Sequence, residues 1–523
     1  MSKIVEQNTP ATPKGKKPAG IRDVPLPKIT KGAGMPELVR GMKDVLPNES
    51  SWWETLQENA ADIARGYGFG WIETPIVEHT SLFVRAVGKQ TDIVEKELYR
   101  FVDQGGDDLV LRPEATASIV RAYSEHGMWN QPQPIKVWYW GQMFRHDRPQ
   151  AGRYRQFHQC GFETLGDDKP VVDAEIIIMS WNYLNDLGLK VNVQINSLGT
   201  TASREVYREK LVAYYRGHRQ ELCEVCKARL TKNPLRLLDC KEESCLAIRG
   251  EAPQIVDSLD DDSRNHFMRV LEYLDELEIP YVLNPHLVRG LDYYNRTVFE
   301  FVLDNADEAS QNSLGGGGRY DGLSELLGGR PTPGCGVALG IERIILALKS
   351  ADIRPKPRKK PQVFLAQLGE QAKRTALKLF EVCRKEGLQV SQAFAKDSLK
   401  AQLEIANKLG VPVTVIIGQK EVLDGTAVVR DMESGVQEIV DKNKLVSEVC
   451  KKLQTVADRR DEKLERLVES SPTDPTNVRS AKDSDIMLDG LEQEDGLHND
   501  LLADIDKDLP GIDEEPKISL DEE

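Results

Sequence analysis

The chain has 523 residues, 40 % hydrophobic and 29 % charged, enough to bury cores in two or three domains. It contains no run of eighteen apolar residues, and "MSKIVEQNTPATPKGKKPAG" has no apolar signal-peptide core, so a membrane-embedded or secreted class is excluded and a cytoplasmic one expected. The formal charge of −15 does not exclude RNA as a partner, because residues 471–523 hold 17 acidic against 4 basic side chains, a balance of −13, while residues 41–470 carry −7.

Residues 1–37 form a basic arm rich in Pro, Lys and Gly, predicted to be disordered. From Gly41 a helical period begins, with Asn48 or Ser50 as its cap and Trp53, Leu56, Ala60, Ile63 and Ala64 on one face. "LVLRPEATASIVRAY" (109–123) predicts a strand ending at Arg112-Pro113 and a helix with Glu114 at its start, where a carboxylate suits the helix dipole. "KVWYWGQMFR" and "RYRQFHQCGFE" then predict a long antiparallel hairpin. Its turn carries Arg148, Arg153 and Arg155, with Arg145 at the start, a set suited to bidentate phosphate contacts. Alternation puts Phe157, Gln159, Gly161 and Glu163 on one face of the return strand and His158, Cys160 and Phe162 on the other. An amide and a carboxylate flanking a glycine form a floor for a small polar ligand, with Gly161 leaving room. A solvated arginine-rich hairpin is the plainer alternative.

Cys223, Cys226, Cys240 and Cys245 are spaced C-x₂-C, thirteen residues, C-x₄-C, and can hold a structural zinc tetrahedrally. "LVRGLDYYNRTVFEF" (287–301) alternates like a half-buried strand, which accounts for its valines and phenylalanines but not for Arg289, Asp292, Tyr293 and Tyr294 at its entrance. Core packing is the plain reading of such a tyrosine pair. "SLGGGGRYDGL" (313–323) allows close backbone approach to a ligand, and "GCGVALGIERIILAL" (334–348) predicts a strand entering a helix with Arg343 in its first turns. A Pro-rich basic linker (350–361) separates this region from residues 362–456, where short apolar strands alternate with amphipathic helices as in an α/β domain with crossover connections. Residues 457–523 are predicted to be an acidic, largely disordered tail.

Together these segments resemble a known family over about residues 38–455. "YGFGWIETPIVEHTSLFVRAVG" (67–88), the hairpin at 141–163 and "GIERI" are similar to motifs 1, 2 and 3 of class II aminoacyl-tRNA synthetases, and "LVRGLDYYNRTVFEF" with "SLGGGGRYDGL" resembles the two signature segments of histidyl-tRNA synthetases. The resemblance implies an α+β catalytic domain on an antiparallel sheet (38–349), an inserted helical subdomain at about 200–275, a C-terminal α/β anticodon-binding domain, and a homodimer. It implies L-histidine, ATP with Mg²⁺, and tRNA(His) as ligands. It gives Arg145 to the α-phosphate, Arg343 to the γ-phosphate, and Arg289 a further cationic place at the reacting centre. Glu114 receives the substrate ammonium in a segment with Ala115 and Thr116, Gln159 orients the backbone end, and Glu163 with Tyr293 and Tyr294 receives the imidazole. Ala115 departs from the glycine often found there; its methyl narrows the pocket without moving Glu114. Family members generally catalyse without zinc, so packed thiols are preferred to zinc at the cysteine cluster. A histidine-sensing regulatory paralogue is the alternative from another class, although such paralogues usually lack the anticodon domain and erode the Arg289 segment.

Overall fold

The structure, a computed structural model, describes residues 35–470 apart from 36, 90, 305–311 and 357–359. Nearly all of the basic arm and the acidic tail beyond residue 470 lie outside the described residues. The chain divides after Lys356 into two compact units.

The first unit runs α1 (Ser50–Gly66), β1 (Gly70–Trp71), β2 (Val77–His79), α2 (Thr80–Val87), β3 (Tyr99–Val102), β4 (Asp108–Leu111) and α3 (Thr116–Glu125). The hairpin of β5 (Ile135–Phe144) and β6 (Gln156–Leu165) follows, then α4 (Pro170–Asp186) and β7 (Val191–Ser197). Helices α5 (Thr201–Gly217), α6 (Glu224–Lys232), α7 (Glu243–Arg249) and α8 (Asp261–Glu276) precede β8 (Tyr281–Leu283) and β9 (Asn295–Leu303). The unit closes with β10 (Ser313–Arg319), α9 (Leu323–Leu326), β11 (Gly334–Gly340) and α10 (Ile341–Ser350). Its large sheet has the order β1-β5-β6-β11-β10-β9-β7-β8, antiparallel from β5 to β7 and parallel where β1 and β8 join the edges.

Both faces of this sheet are covered, one by an apolar core and the other by a core that carries polar groups, so its strands still alternate in sequence. On one face Cys160, Phe162, Phe299 and Val337 pack under α1, α4, α8 and α10. On the other, Tyr139, Tyr293, Tyr294 and Tyr320 meet α2, α3 and the inserted helices. The second face, rich in phenols, is the one on which a polar ligand finds donors.

One buried ionic network ties the layers together. Arg319, fully buried at the end of β10, donates from Nε to Asp173 Oδ1 of α4 at 2.9 Å, and His266 Nε2 of α8 lies 2.8 Å from Asp173 Oδ2. Burial opposes the charge on Asp173, yet Arg319 and His266 hold its carboxyl below the usual range.

The second unit comprises β12 (Val363–Gln367), α11 (Glu370–Lys385), β13 (Val390–Gln392), α12 (Leu399–Lys408), β14 (Val413–Ile417), α13 (Gln419–Asp424), β15 (Thr426–Asp431), β16 (Gln437–Asp441) and α14 (Leu445–Ser470). Its sheet order is β13-β12-β14-β15-β16, with parallel pairing through β14 and antiparallel pairing beyond. Crossover connections therefore serve only its first half.

Three expectations shift. Helix α1 begins after Glu49 without a side-chain cap, and the Ser50 hydroxyl instead donates to the Pro47 carbonyl. Helix α8 lies in the same core as α4 through Phe267, Val270, Leu271 and Leu274, so the insertion ends before it; an amphipathic helix reads alike in either place. Helix α14 runs to Ser470, past the boundary drawn at 456, because "ADRRDEKLERLVES" keeps strong helix formers after its apolar period fades.

Asp173→Ala removes the one fully buried carboxylate from Arg319, leaving it Asp321 and the Asp167 and Lys169 carbonyls, and should cost about 3 kcal/mol. A lowered urea midpoint for unfolding of the first unit, followed by tyrosine and tryptophan fluorescence, checks this.

Candidate active site

Glu163, on the central strand β6, is 1 % exposed and sits over Gly336 of the neighbouring β11. Its Oε1 accepts the Thr116 hydroxyl at 2.7 Å and its Oε2 the Tyr320 hydroxyl at 2.5 Å. Burial outweighs these two donors and, aided by the Glu114 charge, pushes the Glu163 carboxyl up to about 8. Glu114, just before α3, accepts the backbone N–H groups of Thr116 at 2.7 Å and Ala117 at 3.0 Å, closing orphan donors of the helix start. Its Oε1, which accepts only the Ala117 N–H, keeps a second lone pair for a ligand. Tyr293 Oη donates to Glu114 Oε2 at 3.4 Å, and the Tyr293 and Tyr294 rings lie 4.7 Å apart in the same buried cluster. Gln159 Oε1, Tyr139 Oη and Arg289 Nε are buried without a hydrogen-bond partner. Three such atoms offer hydrogen bonds to a polar molecule.

The arginines gather toward the other end. Arg145 donates from Nε to the Pro113 carbonyl at 2.9 Å and lies over the Phe157 ring. Burial works against its charge, while Glu97, Glu114 and Tyr293 favour it. Arg343 donates from Nη1 to the Ser313 carbonyl at 2.8 Å and from Nε to the Gly152 carbonyl at 3.2 Å. Burial, and then the like charges of Arg153 and Arg145, depress its pKa, so these three guanidiniums share one region. Arg289 pairs with Glu300 and lies 5.7 Å from the Tyr294 ring centre, connecting the two ends. Converging guanidiniums beside a polar pocket make a site for a small amphoteric molecule next to a phosphate chain.

Residues 41–344 match the family model described as Histidyl-tRNA synthetase, and residues 362–452 match the one described as Anticodon binding domain. The chain belongs to the histidyl-tRNA synthetase family. A histidine–tRNA ligase of Dehalococcoides mccartyi is 48 % identical over 415 residues, covering 79 % of this chain and 99 % of the relative, and one of Pelotomaculum thermopropionicum is 48 % identical over 402 residues, covering 77 % and 94 %. The crystal structure of apo S. aureus histidyl-tRNA synthetase matches with a TM-score of 0.67 at 37 % identity, over 79 % of this chain and all of that one. The fold is accordingly that of a class II synthetase, with its antiparallel catalytic sheet and a C-terminal anticodon-binding domain.

Within this synthetase fold, Glu114, Thr116, Glu163, Tyr293 and Tyr294 come together, with Arg145 close enough to influence Glu114 and Tyr293. Ala115 is buried in the same core. The space over Gly161, expected to admit a ligand, is filled by the Tyr139 ring, which a Cβ at Gly161 would meet at 2.4 Å. Cross-strand pairing of Tyr139 with Gly161 places the ring there, and neither residue announces the pairing alone. Tyr320 and Glu300 lie within the two signature segments, but nothing local singles either out, and their contacts with Glu163 and Arg289 appear only in the fold. Among the described residues one group can hold a metal ion, the four cysteines of the insertion.

Because Glu163 keeps a proton in the folded state that an unfolded glutamate releases near pH 4.3, stability should fall as pH rises from about 5 to 8, at a slope approaching about 1.4 kcal/mol per pH unit. Glu163→Gln removes this contribution. Thermal unfolding across that range should show the variant gaining on the parent chain as pH rises, and a pH-independent difference would contradict a raised Glu163 pKa.

Proposed function

We propose that the protein attaches L-histidine to tRNA(His) through histidyl-adenylate. The observation that supports this reading is one buried polar cluster with a carboxylate-and-phenol end around Glu163 and Glu114 and a guanidinium end around Arg145 and Arg343. Histidine has matching parts. Its imidazole, which needs a partner for each nitrogen, suits Glu163 and the Tyr293-Tyr294 pair, and its ammonium suits Glu114, with Gln159 orienting the backbone end. An amino acid without ring N–H groups would bury these polar atoms unpaired, at a penalty of about 1–3 kcal/mol each.

In the first half-reaction a carboxylate oxygen of histidine attacks the α-phosphorus of ATP in line, forming the acyl-phosphate bond as the bond to pyrophosphate breaks. Arg145 balances charge on the α-phosphate, Arg343 on the γ-phosphate, and Arg289 on the reacting oxygens; none acts as a base, since a guanidinium stays protonated. In the second half-reaction a ribose hydroxyl at the end of the tRNA takes the acyl group and AMP leaves. The pocket fits magnesium carried in on the phosphates: Glu300 lies among these arginines, and Mg²⁺ needs only one or two carboxylates beside phosphate and water. Bound there, the ion would neutralise phosphate charge. The C-terminal domain would engage the anticodon.

A homodimer is supported by Trp71, Ile76 and Val77, large apolar side chains left exposed in the motif 1 segment. No helix among the described residues is long and apolar enough to cross a membrane, which agrees with a cytoplasmic place. The sensor reading is opposed by the anticodon-binding domain and the intact Arg289 segment.

Pyrophosphate exchange into ATP, run with each amino acid, tests the function: exchange with histidine alone is expected, and binding of histidine without exchange would favour a sensor. Arg289→Ala should slow adenylate formation by about a hundred- to a thousandfold while changing histidine affinity far less, because the contact strengthens as phosphoryl charge develops. Rapid-quench single turnovers beside equilibrium dialysis separate the two effects.

A further inference from the structure

We propose that Cys223, Cys226, Cys240 and Cys245 bind one structural Zn²⁺ as four thiolates within the inserted helices. All four sulfur atoms lie within 4.8 Å of one another, and those of Cys223 and Cys240 are 3.9 Å apart. A tetrahedron with Zn–S bonds of about 2.3 Å has edges of about 3.8 Å, so these positions need only a small contraction to ligate one ion. The separation is too long for a disulfide, whose sulfurs lie about 2.05 Å apart.

The backbone around the sulfurs is arranged as for thiolates. The Cys226 N–H donates to Cys223 Sγ at 3.4 Å, and the Cys223 N–H donates to Cys245 Sγ at 3.4 Å. Cys223 is also the N-cap of α6, a position normally held by Ser, Thr, Asp or Asn because its side chain has to accept that hydrogen bond. A neutral thiol accepts weakly; a metal-bound thiolate suits the place.

The local core supplies the need. Within α6 only Cys226 and Leu230 are buried, and within α7 only Cys245 and Ile248, so half of what each short helix contributes to the interior is a cysteine. Helices of nine and seven residues cannot hold themselves in water. Thiols packing as small hydrophobes would offer little stabilisation here, whereas a tetrathiolate metal ties residues 223–226 to 240–245 directly. The cysteines take no part in the reaction's chemistry, and the proposal does not depend on its assignment.

The test uses the full chain, purified under reducing conditions with Mg²⁺ in excess over a weak chelator. Elemental analysis should give about one zinc per chain, and replacement by Co²⁺ should produce sulfur-to-cobalt charge-transfer absorption together with the strong visible bands of a tetrahedral site. Cys226→Ser and, separately, Cys245→Ser should lose most of the metal. Since either variant could misfold, the deciding measurements are on the parent chain. A chain that is metal-free and takes up neither ion, a cobalt spectrum of weak octahedral type, or disulfides among these four residues in the reduced protein would each overturn the proposal.

Discussion

Burying the Glu163 carboxylate in the middle of a covered sheet constrains much of what surrounds it. A Cβ at Gly336 would stand 1.5 Å from Glu163 Oε2, so the strand beside the carboxylate has to lack a side chain there. The hydroxyls that satisfy the carboxylate come from α3 and from the residue after β10, which fixes both against β6. A Cβ at Gly317 would lie 1.9 Å from the Gly336 carbonyl oxygen, and one at Gly316 2.8 Å from Arg289 Nη1. The glycine run of β10 is therefore a strand, with a shift in register near each end, whose missing side chains make room for neighbours, including Arg289. Its glycines serve close approach rather than mobility.

Charge is divided along the candidate site. Glu163 and Glu114 are buried among hydroxyl and N–H donors, where each is costly to ionise, and the pKa of each is raised by burial. Arg145 stands between them and the other arginines, favoured by Glu114 and itself disfavouring Arg343. Like charges held together by backbone carbonyls remain in mutual repulsion until an anion arrives. Such a site is preorganised for polyphosphate because the protein has already met the cost of assembling the cations.

How much of this the sequence discloses depends on the range over which each feature is determined. The alternation through Phe157, Gln159, Gly161 and Glu163 needs only the two-residue period of a strand, and Cys160 and Phe162 do enter the opposite core. The place of Glu114 at a helix start is equally local. Tyr139 over Gly161 and Tyr320 on Glu163 depend on cross-strand register or on contacts between distant segments, and Glu300 on Arg289 on the path of the chain into β9, none of which the alternation encodes. The Arg319–Asp173–His266 network joins three elements separated by up to 146 positions and had no local sign. Motif resemblance draws the candidate residues together because it records several distant segments at once.

The insertion is joined to the site by contacts that orient more than they stabilise. Asn233, just after α6, donates from Nδ2 to Asp292 Oδ1 at 3.0 Å, three residues after Arg289, while the Asp292 N–H donates to the Val87 carbonyl at 3.3 Å. Arg229 and Arg236 reach Asp92 at 3.5 and 3.6 Å, so the turn after α2, the Arg289 segment and the inserted helices form one connected set. Ion pairs of this length at partly exposed positions are worth at most about 1 kcal/mol, and the set cannot be what folds the insertion. Its geometric effect is larger than its energy: with Asp292 held from both sides, the short link to Arg289 and Tyr293 has few conformations left. A brace of weak contacts is only as firm as the body that carries it, and α6, with two buried residues of its own, becomes a firm body when its N-terminus is anchored through Cys223 and Cys226.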